Sequence, residues 1–175
     1  IDPKGVAHAL VSQNSDEALP LASITKLMTA LIASETYGLG AIEDKIHKLL
    51  IVSDNATADL LATKMGTPTF VARMNQKAVA LGLPSMHFVN PSGIDAERDL
   101  DVASAHDVAT LLKYLYTDRQ ALFSILGEKN YGTATSTDNL LFDPSPLTVL
   151  GGKTGETPRA GQNLVVLSQS PTGTG

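Results

Sequence analysis

Residues 19–30 read Leu19-Pro20-Leu21-Ala22-Ser23-Ile24-Thr25-Lys26-Leu27-Met28-Thr29-Ala30. Pro20 punctuates the approach, and from Ala22 to about residue 35 the pattern turns helical, with Leu27, Ala30, Leu31 and Ser34 on one stripe. Ser23 and Lys26 stand three positions apart at the helix start, so both side chains fall on one face of its first turn. The positive end of a helix favours negative charge, which would help an alkoxide form on Ser23. Lys26 can act as a base only if burial or another cation pulls its pKa down. Taken alone the pair is weak, because a serine before a helix is commonly a cap and a lysine is commonly solvated.

Two further triplets follow in order along the chain. Ser53-Asp54-Asn55 precedes a helix; all three residue types are good N-caps, but Ser53 could also pass a proton to a leaving group while Asn55 donates an amide hydrogen bond to a substrate or to Lys26. Lys153-Thr154-Gly155 follows Gly151-Gly152 and precedes the apolar stretch 164–167, which places it on a strand where glycine lets a substrate backbone come close. By itself it reads as a turn between two strands. Together the three motifs supply a nucleophile, a nearby amine base, a relay hydroxyl with an amide, and a second cation, Lys153, able to lower the pKa of Lys26. Those are the parts of an acyl-transfer site.

Outward from these motifs the chain organises into a strand-like lead-in over 1–22, a helical part over 23–127 and a strand-rich part over 128–175. In the lead-in, 6–11 is apolar and Gln13-Asn14-Ser15-Asp16 is turn chemistry. Gly38 and Gly40 end the first helix; further helices are expected over 42–51, over 57–65 before Gly66, and over 68–81. The last has Thr67 as N-cap, Pro68 in the first turn, an apolar stripe of Phe70, Met74, Ala78 and Leu81, and Gly82 as its stop. Ser104 with Asp107 makes a capping box for a helix over 105–116. Beyond Gly127, 131–137 is rich in threonine, 140–142 is apolar, and 147–153 with 162–168 reads as a β-hairpin pair. A helical middle between strand-like ends predicts an α/β fold in which the two ends of the chain form one antiparallel sheet, covered by helices from the middle.

Composition narrows the function classes. The 175 residues suit one domain of ordinary apolar content. A net charge of −5 with no cluster of Lys or Arg argues against nucleic acid or an anionic membrane surface as partner. The absence of cysteine removes disulfides, thiolate catalysis and cysteine–zinc sites. The apolar run at 27–34 is too short to cross a bilayer, and the segment after Ile1 lacks a basic-apolar signal pattern. His8, His47, His87 and His106 show no metal-ligand spacing, so neither metal nor organic cofactor is expected.

The order S-x-x-K, S-D-N, K-T-G resembles that of penicillin-binding proteins and class A β-lactamases. More closely, residues 19–30 resemble the nucleophile segment of the serine D-Ala-D-Ala carboxypeptidases, the low-molecular-mass penicillin-binding proteins. Phe70-Val71 with Met74-Asn75, Ala78 and Leu81-Gly82-Leu83 is similar to that family's downstream helix. Phe88-Val89-Asn90-Pro91-Ser92-Gly93, Ser104-Ala105 with Asp107, and Lys153-Thr154-Gly155-Glu156-Thr157 with Ala160-Gly161 extend the likeness over most of 19–168. The resemblance implies a single penicillin-recognising, transpeptidase-like domain over 1–175. Ser23 would be acylated with Lys26 as its base, and Ser53 and Asn55 would form the second catalytic element. Lys153 and Thr154, with Gly155 beside them, would hold the substrate's terminal carboxylate, and the backbone N–H groups of Ser23 and Glu156 would form the oxyanion hole. It implies a carboxypeptidase or endopeptidase acting on peptidoglycan stem peptides ending in D-Ala-D-Ala, acylated by β-lactams and exported to the periplasm or the outer face of the cytoplasmic membrane. Family members carry a longer segment between the counterparts of Lys26 and Ser53, and further strands and a helix beyond the counterpart of residue 175.

Two other readings stand beside this one. A class A-like β-lactamase needs a glutamate to activate the deacylating water, and only Glu97 and Glu128 occur in the right region. A non-catalytic domain could keep the cleft to bind cell-wall peptides.

Overall fold

Residues 26–33 are buried without interruption along α1 (Lys26–Tyr37), which makes that helix the axis of the molecule. A helix apolar on every side is stable only when covered on every side. In this computed structural model, which describes residues 10–136 and 148–169, α2 (Leu39–Leu50), α3 (Asn55–Thr63), α4 (Thr67–Ala80) and α6 (Gln120–Ile125) supply the cover. Ile46 and Leu49 of α2, Leu61 of α3, Phe70, Met74 and Ala78 of α4, and Leu122 and Phe123 of α6 fill the core, with Leu111, Leu112 and Leu115 of α5 (Ala105–Asp118). Phe70, Met74 and Ala78 of the stripe expected on α4 are thus buried, while Leu81, which caps the helix, is half-buried.

The strands among the described residues pair antiparallel. β1 (Leu19–Pro20) pairs with β2 (Val102–Ala103), and β3 (Asn130–Tyr131) with β4 (Ala134–Thr135). The long hairpin is β5 (Thr148–Thr157) with β6 (Gly161–Gln169), in a register that sets Lys153 opposite Val165 and Gly155 opposite Asn163. This is the hairpin expected from 147–153 and 162–168, and it bears out the antiparallel α/β arrangement at the C-terminal end. The apolar stretches expected at 6–11 and 140–142 lie mostly or wholly outside the described residues. The lead-in is nonetheless tied to the hairpin, since Asn163 Nδ2 donates to the Pro20 carbonyl at 2.9 Å.

Several local expectations need correction. The first helix does not begin at Ala22: Ala22–Thr25 form a 3-10 turn, and α1 starts at Lys26. Gly38, at φ +78, ends α1, but Gly40 lies inside α2, whose backbone breaks at Ile42 (φ −129). Regular geometry resumes after that break, near the expected start at 42. The cap of α4 is Gly66, in the left-handed region at φ +88, and Thr67 is already helical. Asp107 completes only half of a capping box: Ser104 Oγ accepts from Asp107 N, but the Asp107 carboxylate accepts from Ser85 N and Oγ instead, and Ser85 Oγ takes the Ser104 N–H. Finally, α6 starts directly from the end of α5 through Arg119, with no capping side chain to announce it.

Candidate active site

The 3-10 turn brings the first motif together. In such a turn side chains at i and i+3 eclipse one another, a tighter juxtaposition than an α-helix provides. Lys26 Nζ donates to Ser23 Oγ at 2.8 Å and to the Ser92 carbonyl at 2.6 Å. Lys26 is 0 % exposed and Ser23 half-buried. Burial, and after it the charge of Lys153, pulls the Lys26 pKa from 10.5 down to about 7, against the opposing pull of Asp54, Asp59 and Asp101. A carbonyl can only accept, so Lys26 must spend an N–H on Ser92. When the amine is neutral its lone pair is then left for the proton of Ser23.

The wall carrying Ser92 is built from the loop at residues 88–93. Asn90 Oδ1 accepts from Ser92 N, Ser92 Oγ and Gly93 N, fixing the turn from within. Thr29 Oγ1 donates to the Pro91 carbonyl at 2.6 Å, pinning the loop to α1. Asp101, 3 % exposed, accepts from Thr25 Oγ1 at 2.8 Å, Val89 N at 2.7 Å and Asn90 N at 3.1 Å. One carboxylate thus joins the turn between Ser23 and Lys26 to the loop that receives Lys26. Burial raises its pKa above the usual carboxylate range, partly offset by those three donors.

β5 closes the other side. Lys153 is 0 % exposed, and its Nζ donates to the Thr154 carbonyl at 2.9 Å. Thr154 is half-buried, Gly155 buried and Glu156 exposed. A Cβ on Gly155 would stand 2.9 Å from Ser23 N, so only glycine lets the strand lie against the nucleophile's backbone. The same test revises the reading of Gly151-Gly152. The space a side chain would take at Gly151 is filled by Leu126 and Phe123, and at Gly152 by Val165 and Val166. Those two glycines admit the protein's own packing, not a substrate.

The second motif sits at the start of α3. Asp54 is the N-cap, accepting from Thr57 N at 2.9 Å, and the Thr57 hydroxyl chiefly holds its carboxyl below the ordinary value. Ser53 is half-buried and Asn55 exposed. Neither hydrogen bonds to Lys26 among the described residues, although Asp54 beside them lies within electrostatic reach of it. Ser53 has φ +61 and Ala22, immediately before Ser23, φ +48; a third non-glycine residue with positive φ is Asn14. Such backbone is costly for residues with a Cβ and tends to mark functional positions.

Of the two glutamates considered for a deacylating water, Glu128 Oε1 lies 3.1 Å from His47 Nε2, and Glu97 is exposed. Neither is a hydrogen-bond partner of Ser23 or Lys26 among the described residues. Sequence reasoning gave no role to the Ser92 carbonyl or to Asp101. The signal for the first was the turn chemistry of Asn90-Pro91-Ser92-Gly93.

Comparison with known proteins shows the family and the fold. Residues 40–172 match the D-alanyl-D-alanine carboxypeptidase family, and the chain belongs to that family. A D-alanyl-D-alanine endopeptidase of Pseudomonas aeruginosa is 28 % identical over 98 % of this chain and 67 % of its own length. A D-alanyl-D-alanine carboxypeptidase of Haemophilus influenzae is 30 % identical over 71 % of this chain but only 33 % of its own length. Penicillin-binding protein D2 of Listeria monocytogenes, solved with ampicillin bound, superposes with a TM-score of 0.81 at 25 % identity, over 94 % of this chain and 80 % of that one. This chain therefore spans between a third and two thirds of the lengths of those two relatives.

Proposed function

We propose that the chain carries a serine DD-peptidase site that cleaves peptidoglycan stem peptides between two D-alanines and is acylated by β-lactams. The observation that carries this reading is the 2.8 Å contact between Ser23 Oγ and a fully buried Lys26 whose pKa lies at about 7. An amine at that pKa is an effective base near neutrality, whereas a solvated lysine is almost wholly protonated there.

In the mechanism, neutral Lys26 takes the Ser23 proton as Oγ attacks the carbonyl carbon of the penultimate D-alanine. The oxyanion of the tetrahedral intermediate is met by the N–H groups of Ser23 and Glu156, and a donor of this kind typically contributes ~2.7–4 kcal/mol to lowering a barrier. Collapse breaks the C–N bond, and D-alanine leaves as the amine with a proton relayed through Ser53, while Asn55 hydrogen bonds to the substrate backbone. Lys153 and Thr154 hold the terminal carboxylate of the departing residue, with Gly155 keeping the strand close to the nucleophile. Water, or an amine acceptor, then resolves the acyl-enzyme. The family's named members and the ampicillin-bound relative support the same substrate and inhibitor classes.

A substrate of this kind lies outside the cytoplasm, so the site works in the periplasm or on the outer face of the membrane. No helix among the described residues is long and apolar enough to cross a bilayer. The test is labelling with a fluorescent penicillin alongside D-alanine release from a model peptide. Both signals are expected for the wild type and neither for Ser23→Ala; a chain that releases D-alanine equally well as Ser23→Ala would overturn the assignment.

A further inference from the structure

We propose that Asp95 is a positioning residue that fixes the end of β5, and with it the Glu156 peptide, relative to Ser23; the inference rests on the acyl-transfer reading of Ser23. The argument starts at Gly93, whose φ is +79 and whose missing Cβ would stand 1.9 Å from the Ala22 carbonyl oxygen and 3.1 Å from Ser23 N. The loop at 90–96 is therefore seated directly on the backbone of the nucleophile's turn. Two residues later the same loop reaches the opposite wall. Asp95 Oδ1 accepts from Thr157 Oγ1 at 2.7 Å and Oδ2 accepts from Arg159 N at 3.0 Å.

Those two donors lie at the last residue of β5 and inside the turn to β6, so one carboxylate holds both the strand end and the turn. The bracing is doubled: Ala160 N donates to Thr157 Oγ1 at 3.1 Å, and Arg159 Nη1 donates to the Ala96 carbonyl at 2.8 Å. Glu156 is the residue immediately before Thr157, and Gly155 before it lies so near the Ser23 backbone that an added Cβ would stand 2.9 Å from Ser23 N. Without Asp95 the tip keeps only the Arg159 bond to the Ala96 carbonyl on this loop and the packing of Gly155 and Asn163 against residues 20–23, and it can shift enough to carry the Glu156 N–H away from the place where an oxyanion forms. Glu156 and Arg159 are exposed and Asp95 and Thr157 only half-buried, so water can satisfy the freed donors. The loss should then fall on geometry more than on folding.

The test compares Asp95→Ala, Asp95→Asn, Thr157→Val, Thr157→Ser and the Asp95→Ala/Thr157→Val double variant. The measurements are the second-order rate of acylation by a fluorescent penicillin, KM and kcat for a D-Ala-D-Ala peptide, and thermal unfolding. Asp95→Ala and Thr157→Val are each expected to slow acylation ~10-fold or more, mainly through kcat, with melting temperatures close to wild type. The double variant should be no slower than the slower single one, because both remove the same brace. Thr157→Ser keeps the hydroxyl and should restore most of the rate, and Asp95→Asn, which keeps one acceptor and the shape, should fall between Asp95→Ala and wild type. An Asp95→Ala protein acylated at the wild-type rate, multiplied losses in the double variant, or rates that fall only as the folded fraction falls would each overturn the inference. If the wild type itself is never labelled, the reading of Ser23 fails first and this inference falls with it.

Discussion

Gly93 lies against Ala22 so closely that no other residue fits: a Cβ there would overlap the Ala22 carbonyl oxygen at 1.9 Å. The contact puts the loop that receives Lys26 on the same backbone that presents Ser23. Either residue could move only by carrying the other with it.

Gly93→Ala should therefore damage folding and acylation together. The residue would need both a left-handed φ of +79 and space already held by backbone. The expected cost is more than about 1 kcal/mol of stability, with penicillin labelling lost. Denaturant unfolding and labelling check it, and a variant of wild-type stability would show that the loop can retreat from Ala22.

Lys26 should set the acid limb of the pH profile. Its pKa of about 7 in the fold means that the neutral base is lost as pH falls through 7, so acylation should drop about tenfold per pH unit below that point and level off above it. The unfolded chain keeps the proton up to 10.5, so between pH 7 and 10.5 it binds more protons than the native state. Stability from this group accordingly rises with pH across that window and is lowest below 7. Lys26→Arg, which cannot deprotonate, should abolish acylation at every pH. Stopped-flow acylation across pH 5–9 on wild type and variant is the measurement; a flat profile would remove Lys26 from the base role.

Asp101 should matter to both stability and rate. Asp101→Ala strands the Thr25 hydroxyl and the N–H groups of Val89 and Asn90, which the carboxylate now receives. A buried donor left without a partner costs roughly 1–3 kcal/mol; Thr25 is buried while Val89 and Asn90 are half-buried and open to water, so a loss of about 1–3 kcal/mol is expected. Thr25→Val removes one bond of the set and should lose less. Urea unfolding of both variants tests the order, and Asp101→Ala should also label more slowly because the Ser92 carbonyl is no longer held.

Once formed with penicillin, the acyl-enzyme should last for minutes or longer. Glu128 is engaged by His47, Glu97 is exposed, and neither hydrogen bonds to Ser23 or Lys26, so neither of these glutamates is placed to activate a hydrolytic water there. Peptide substrates should still turn over, because D-alanine departs and opens one face of the acyl group, whereas the penicillin leaving group stays tethered by its ring. Mass spectrometry of the adduct against time, beside D-alanine release, checks this. Rapid disappearance of the adduct with repeated penicillin turnover would point to a β-lactamase instead.

The three motifs were legible because acyl transfer restricts residue type: an alcohol, an amine and a cation on a strand have few substitutes. The helices were legible from periodicity, and the hairpin of β5 and β6 from the two strand-like stretches at 147–153 and 162–168. The 3-10 turn at Ala22–Thr25 was not, since moving a helical hydrogen bond by one residue leaves no mark on composition. Gly66 took the cap expected of Thr67 because a left-handed backbone admits glycine readily, while both residues look like reasonable caps on paper. The acceptor for Lys26 was hidden for a deeper reason. It is a main-chain carbonyl, which every residue possesses, and only the fold shows that Ser92 supplies it. Asp101 and Asp95 were missed because each acts through partners 11 to 76 positions away in the sequence.

The backbone at Ala22 and Ser53 carries a consequence for how this protein could evolve. Both residues hold a conformation that glycine would adopt with less strain, and both flank or belong to a motif of the site. A lineage selected for robustness alone has an obvious route, replacing the two residues with glycine and letting the chain relax. That route surrenders the Ser53 hydroxyl and loosens the peptide that aims Ser23. Robustness and aim pull in opposite directions at these two positions, and durable variants of this protein should find their gains elsewhere, in the helical layers away from the cleft.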